Sequence, residues 1–243
     1  MGYSDVDASH VRAVFALLVR GVATLLTDTV TTSDTGITFV LASASPARLG
    51  VLRAAGVEPV VRVSGVDEDA LTAELGPSAD SESVVMALAR AKAVAVSGEF
   101  DDAVVVGCDS MLSIDGELQG KPHTVEVARR RWEVMAGRSG ELLTGHAVVR
   151  VRAGCVVDTQ IACSTTTVHF AEPSRADLEA YLASGEPLEV AGAFTLDGLG
   201  GWFVDRIEGD PSSVIGIGLP LVRRLLNEGG VSMAQLWSAP PAG

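Results

Sequence analysis

Eighteen basic side chains serve this 243-residue chain, and sixteen of them are arginine. The two lysines are Lys92 and Lys121. A lysine ammonium is a compact point charge that suits phosphate, so lysines in an arginine-rich chain are candidate anion ligands. A cation on a solvated helix face is the plainer reading of Lys92. Carboxylates supply the complementary chemistry. Asp109 ends the apolar run "AVVVGCDS" (103–110), and ligand sites in α/β sheets open at the carboxyl ends of strands. A carboxylate there can position a water or bind Mg²⁺. Asp67, Glu68 and Asp69 form an acidic loop, and any of them could be a second metal ligand; solvated surface charge also explains the loop. Two carboxylates with cations nearby suit metal-assisted hydrolysis of a phosphoryl group.

A third cation stands in "LASASPAR" (41–48), where an apolar strand turns into a helix. Ser45 is a good N-cap and Pro46 suits the first helical position. A helix N-terminus also offers free N–H groups and partial positive charge, so it can hold a phosphate. Ser43 and Ser45 add hydroxyls, and Arg48 falls in the first turn. Taken alone, the stretch reads first as plain capping.

Other chemistries fail on spacing. "GELQGKPH" (116–123) has too short a gap between its glycines for a P-loop, and Pro122 stands where Ser or Thr should bind magnesium. "GLGG" (198–201) is too short for a dinucleotide fingerprint. His10, His123, His146 and His169 show no metal-ligand spacing, and neither Ser43 nor Ser45 lies in a nucleophile elbow. Cys108, Cys155 and Cys163 are odd in number and widely spaced, which argues against a disulfide framework or a zinc site and points to a reducing cytoplasm. Trp202 and Phe203 are read as core residues of a strand.

The elements that must position these residues alternate between strand and helix. Residues 1–36 read as an extension, an amphipathic helix at about 10–26 and a polar linker. Strands are expected at 37–43, 57–63 and 103–110, and a hairpin at 111–120 turns at Asp115-Gly116. Long β runs follow at about 142–152 and 155–170, then a strand at 202–207. Helices are expected at 46–55, 80–97, 124–136, 174–184 and 220–227, with Ser81 or Asp80 capping the second. The domain spans 37–230, and 231–243 is read as a tail. The mixture implies an α/β protein with a mixed sheet. A net charge of −13 disfavours nucleic acid and anionic membranes as partners, and the most apolar N-terminal run is too short and too charged to span a bilayer.

Several stretches together, in collinear order over about 37–228, resemble the Maf (septum-formation-type) nucleotide pyrophosphatases. They are "LASASPARLGVL", "VDED", "LARAKA", "VVVGCDSM", "LQGKP", "GEPLEVAGAF", "DGLGG" and "IEGDPSSVIGIGLPL". The resemblance implies an elongated, mixed-sheet Maf/ITPase-like fold, a homodimer, and a cleft for a nucleoside triphosphate. It implies hydrolysis between the α- and β-phosphates to a nucleoside monophosphate and pyrophosphate, with a divalent cation, Mg²⁺ or Mn²⁺. On the matching positions, Ser45 and Arg48, with Ser43 beside them, would hold phosphate. Lys92 and Lys121 would hold phosphate and offset developing charge, Glu68 would help bind metal, and Asp109 would be the catalytic carboxylate and touch the metal. Departures bear on specificity. Ala47 replaces an arginine found in many members, and Ser110 and Asp197 replace a threonine and a glutamine of members acting on dTTP and UTP. An acidic residue at the last position resembles the branch acting on 7-methyl-GTP. A carboxylate there accepts hydrogen bonds, which favours a base edge carrying N–H groups. Clearance of modified nucleotides is the implied use. A nucleotide-binding regulator of cell division with little turnover, and a phosphatase releasing orthophosphate, are the alternatives.

Overall fold

The computed structural model describes residues 37–76 and 78–237; the extension expected at 1–36 lies outside the described residues. Seven strands are β1 (Thr38–Leu41), β2 (Val60–Val61), β3 (Asp102–Ile114), β4 (Glu117–Gln119), β5 (Ser139–Arg152), β6 (Cys155–Phe170) and β7 (Val204–Glu208). They form one sheet in the order β2-β1-β3-β5-β6-β7, with β4 paired to β3. β1 runs parallel to β2 and β3, and every other pair is antiparallel, so the sheet is mixed as expected. The helices among the described residues are α1 (Pro46–Ala54), α2 (Glu68–Leu75), α3 (Ser81–Ser97), α4 (Val125–Met135), α5 (Arg175–Ala183), α6 (Pro211–Ile215) and α7 (Leu219–Glu228).

Local chemistry sets several boundaries. Asp80 caps α3 by accepting the Ser83 amide at 2.8 Å, Thr124 caps α4, and Ser174 caps α5. Asp115 (φ +51°) and Gly116 (φ +82°) both take the left-handed conformation that a tight hairpin demands. Other expectations change. The strand predicted at 57–63 shrinks to two residues. The run ending at Asp109 and the first arm of the hairpin are one strand, so Asp109 lies inside β3. The acidic loop is the start of a helix: Asp67 accepts the Ala70 amide at 2.9 Å and opens α2. Residues 199–203 are a 3₁₀ turn, in which Phe203 packs against Trp132 and Trp202 is exposed rather than core. Of the predicted tail, Val231 and Leu236 are buried with the core. Among the described residues no helix is long and apolar enough to cross a membrane.

One irregularity in the sheet matters for the site. β3 pairs with β5 from Asp102 to Ser113. On its other edge, β1 covers Ala103–Val106 and β4 covers Leu112–Ile114. Residues 107–111 therefore have a strand on one side only. Alternation along β3 divides its side chains between two faces. Ala103 and Val105 pack with Ala89 and Ala93 of α3, whereas Val104, Val106 and Cys108 pack with Leu52 of α1 and Leu221 and Leu225 of α7. Asp109 follows the first register and Ser110 the second.

α3 lies close on the sheet because two glycines leave room for its backbone. A Cβ at Gly107 would fall 2.2 Å from the Ala89 carbonyl oxygen, and one at Gly145 would fall 2.2 Å from that of Val85. Gly107→Ala is expected to cost about 1–3 kcal/mol by overpacking. In thermal melts that is a loss of about 2–4 °C for each kcal/mol. Gly98→Ala, with nothing within 4 Å and φ −69°, is expected to leave the melting temperature unchanged.

Candidate active site

Asp109 and Lys92 meet on the α3 face. Lys92 comes from the middle of α3 and its side chain is buried; its Nζ is 2.6 Å from Asp109 Oδ1 and 2.8 Å from Glu68 Oε1. Asp109 is also buried, and its Oδ2 has no hydrogen-bond partner among the described residues. Burial pushes the Asp109 carboxyl above the usual carboxylate range, although Lys92 and Arg48 pull in the other direction. The group is thus a stronger base than an exposed aspartate, with one oxygen uncommitted. Glu68 is half-exposed, at the first turn of α2, a helix that buries no side chain and packs on α3.

Arg48 occupies the other face. Its Nε donates to the Gly216 carbonyl at 2.8 Å, one terminal nitrogen to Ser43 Oγ at 3.0 Å, and the other to Ser110 Oγ at 3.3 Å. Ser43 is buried and also accepts the Ser45 amide at 3.2 Å. Ser45 is the α1 cap, accepting the Arg48 amide at 3.4 Å. The two hydroxyls therefore differ: Ser45 shapes the turn, and Ser43 steers the guanidinium. Ala47 is half-buried beside them. Since Asp109 and Ser110 are neighbours on the open stretch of β3, the Lys92 and Arg48 groups flank the same sheet edge from opposite faces.

Lys121 and Asp197 are not brought into contact with either group. Lys121 follows β4, is exposed, and has Glu189 4.0 Å away. Its loop is held through the Gly120 carbonyl, which accepts from Arg131 at 2.6 Å and from the Gly192 amide at 3.1 Å. Asp197 is exposed on a loop built around Glu186, whose carboxylate accepts the Thr195 hydroxyl and the Leu199 and Gly200 amides, the latter two at 3.1 Å each.

The residues behind Arg48 have roles that only the fold reveals. Thr144 on β5 lies 3.1 Å from Ser110 Oγ and donates to the Ser213 carbonyl at 2.9 Å. Ser213 Oγ donates to Asp210 Oδ2 and contacts Ser164 Oγ, both at 2.9 Å. Asp210 also holds Ser212 through its amide at 3.0 Å and its hydroxyl at 2.7 Å. This scaffold anchors residues 212 and 213, just ahead of the α6–α7 loop that presents the Gly216 carbonyl. Its signal in the sequence was "GDPSSVIGIG", dense in small and hydroxyl residues but without chemistry legible on its own.

Among the described residues no three His, Cys, Asp or Glu side chains cluster to cage a metal. Mg²⁺ does not need such a cage, because it is commonly bound by one or two carboxylates with substrate phosphates and waters completing the shell. Asp109, with its unpartnered Oδ2, and Glu68 fit that mode. The arrangement can bind an anion between Arg48 and Lys92 and accept a proton at Asp109.

A sequence model described as Maf-like protein matches residues 38–229. The chain is similar to a nucleoside triphosphate pyrophosphatase of Nocardia farcinica (strain IFM 10152), 70% identical over 207 residues that cover 84% of this chain and 98% of that protein. It is similar to one of Rhodococcus jostii (strain RHA1), 70% identical over 206 residues, covering 83% and 96%. A third, from Mycobacterium marinum (strain ATCC BAA-535 / M), is 58% identical over 211 residues, covering 84% and 98%.

Proposed function

The chain belongs to the Maf-like protein family, and from that premise we propose that it hydrolyses a nucleoside triphosphate to the monophosphate and pyrophosphate at the open edge of β3. The observation that carries the reading is Asp109: a buried carboxylate with one oxygen on Lys92 and the other free, beside an arginine already oriented toward the same edge. The relatives' names describe the same reaction.

In this reading Arg48, Lys92 and Lys121 bind the phosphates. Asp109 orients a water toward the α-phosphorus and takes its proton as the new P–O bond forms. The bond from the α-phosphorus to the bridging oxygen breaks, and its electron pair leaves with pyrophosphate. Lys92 offsets the charge that gathers on the phosphate oxygens. Asp109 and Glu68 would hold a divalent cation, which when bound supplies further neutralisation of the triphosphate. Asp197 would face the base, and its carboxylate favours a guanine-like edge with N–H donors, 7-methyl-GTP included.

The test is a panel of nucleoside triphosphates, 7-methyl-GTP among them, incubated with Mg²⁺ or Mn²⁺ and without either. Pyrophosphate and orthophosphate are measured separately. Pyrophosphate in equal amount to monophosphate is expected, with metal required. No pyrophosphate from any nucleotide overturns the reading, and orthophosphate as the first product replaces it with a phosphatase.

A further inference from the structure

His146 takes no part in the chemistry above, yet it is wholly buried in β5 on the Arg48 face of the sheet. Its Nε2 lies 2.7 Å from the Gly218 amide nitrogen, so Nε2 accepts and the ring proton resides on Nδ1. Gly218 caps α7 and stands two residues after Gly216, whose carbonyl receives Arg48 Nε. The segment is tightly built. Gly216 has φ +124°, and a Cβ at Gly218 would fall 2.3 Å from Ser213 Oγ and 3.4 Å from His146 Cε1. The ties from Thr144, Ser164 and Asp210 all reach residues 212 and 213, upstream of Gly216. Downstream of Gly216 the Ile217 and Leu219 amides donate to Ser212 at 3.1 and 2.9 Å, and the direct polar tie to β5 is the His146 bond, with Ile217 buried beside it.

We propose that His146 is a positioning residue for Arg48: by accepting the Gly218 amide it fixes the Gly216 carbonyl, and that carbonyl aims the guanidinium at the phosphates. The inference rests on reading Arg48 as a phosphate ligand. His146 acts only as an acceptor, and it works through the loop rather than on the substrate. Loss of the acceptor leaves a buried amide unpaired and frees the loop to shift, so the effect falls on anion binding.

The experiment compares the full-length wild type with His146→Gln and His146→Leu. Gln can place an amide oxygen about where Nε2 lies, whereas Leu fills the space without an acceptor. Binding of inorganic tripolyphosphate is measured by calorimetry, and KM and kcat are measured on the nucleotide turned over fastest. The Leu variant is expected to bind tripolyphosphate about tenfold more weakly and to raise KM about tenfold, with kcat within about twofold. The Gln variant is expected to stay within about threefold of wild type on both. A folded Leu variant that binds like wild type overturns the proposal, because the bonds to Ser212 and the burial of Ile217 then suffice to hold the loop. A fall in kcat at unchanged KM, or a Gln variant no better than Leu, also overturns it. If the Leu variant does not fold, His146→Asn takes its place. Asn is too short to reach Gly218, so weak binding by Asn against normal binding by Gln supports the proposal, and equal binding overturns it. A wild type that binds tripolyphosphate but releases no pyrophosphate from any nucleotide defeats the pyrophosphatase reading alone.

Discussion

Asp109→Asn is expected to lower kcat by about 10²–10⁴-fold, the usual worth of a positioned general base, while KM changes little. The size follows from what the substitution keeps. The amide oxygen can still accept from Lys92, and Glu68 Oε1, 2.8 Å from the ammonium, remains its charged partner. The phosphate-binding cations therefore stay in place. What disappears is the capacity to take a proton at the oxygen that has no other partner, and with it one negative charge toward the cation that Asp109 and Glu68 would hold. Stability is not expected to follow activity. Burial already disfavours the charged carboxylate, so the neutral amide removes a desolvation cost as it loses an ion pair. A melting temperature within a few degrees of wild type, with turnover nearly abolished, is the expected pair of results. Turnover surviving within tenfold would remove Asp109 from the mechanism.

The second large effect is on stability against pH. Burial, with Arg48 beside it, lowers the His146 imidazole to about 4, whereas an unfolded histidine titrates near 6.5. Asp210 is the charged group acting in the opposite sense, and the strand neighbour across the sheet is Cys108, a buried thiol pushed up to about 11 and so neutral throughout. Between pH 6.5 and 4 the unfolded chain binds more protons at this position than the folded one, so folding stability falls as pH falls. The contribution is fully present above pH 6.5 and is lost as pH drops toward 4. At roughly 1 kcal/mol for each pH unit between the two values, the loss is on the order of 2–3 kcal/mol by pH 4.5. Urea unfolding at pH 7.5 and pH 4.5 measures it. His146→Gln is expected to shrink the difference by that amount, which separates this histidine from the carboxylates that titrate nearby. An unchanged difference in the Gln variant would mean that His146 titrates normally in the fold.

The parts of this architecture that were legible in sequence are those with local causes. Ser45-Pro46, Asp80, Thr124 and the Asp115-Gly116 turn act on their own backbone within a few residues, and each set a boundary close to where it was expected. Lys92 and Asp109 stood out by type and context, and the fold brings them to 2.6 Å. What was not legible depends on distant partners. α2 buries no side chain, so it has no apolar period to read, and its acidic start looked like a loop. Trp202 reads as core by type, but only the 3₁₀ turn decides that it points outward while Phe203 points in. His146 sits in an apolar strand and looks like a filler; its use is visible only through a backbone amide 72 positions away.

α2 carries one further consequence. An eight-residue helix is too short to hold together alone in water, and this one has no buried side chain to hold it from outside. Its free energy of local unfolding is expected to be lower than that of α3 beneath it, which has eight buried residues. Lys92 is therefore shared between a buried carboxylate on β3 and a half-exposed one on a helix that buries no side chain. Glu68 can therefore leave the ammonium to an incoming anion while the Asp109 contact and the strands stay as they are.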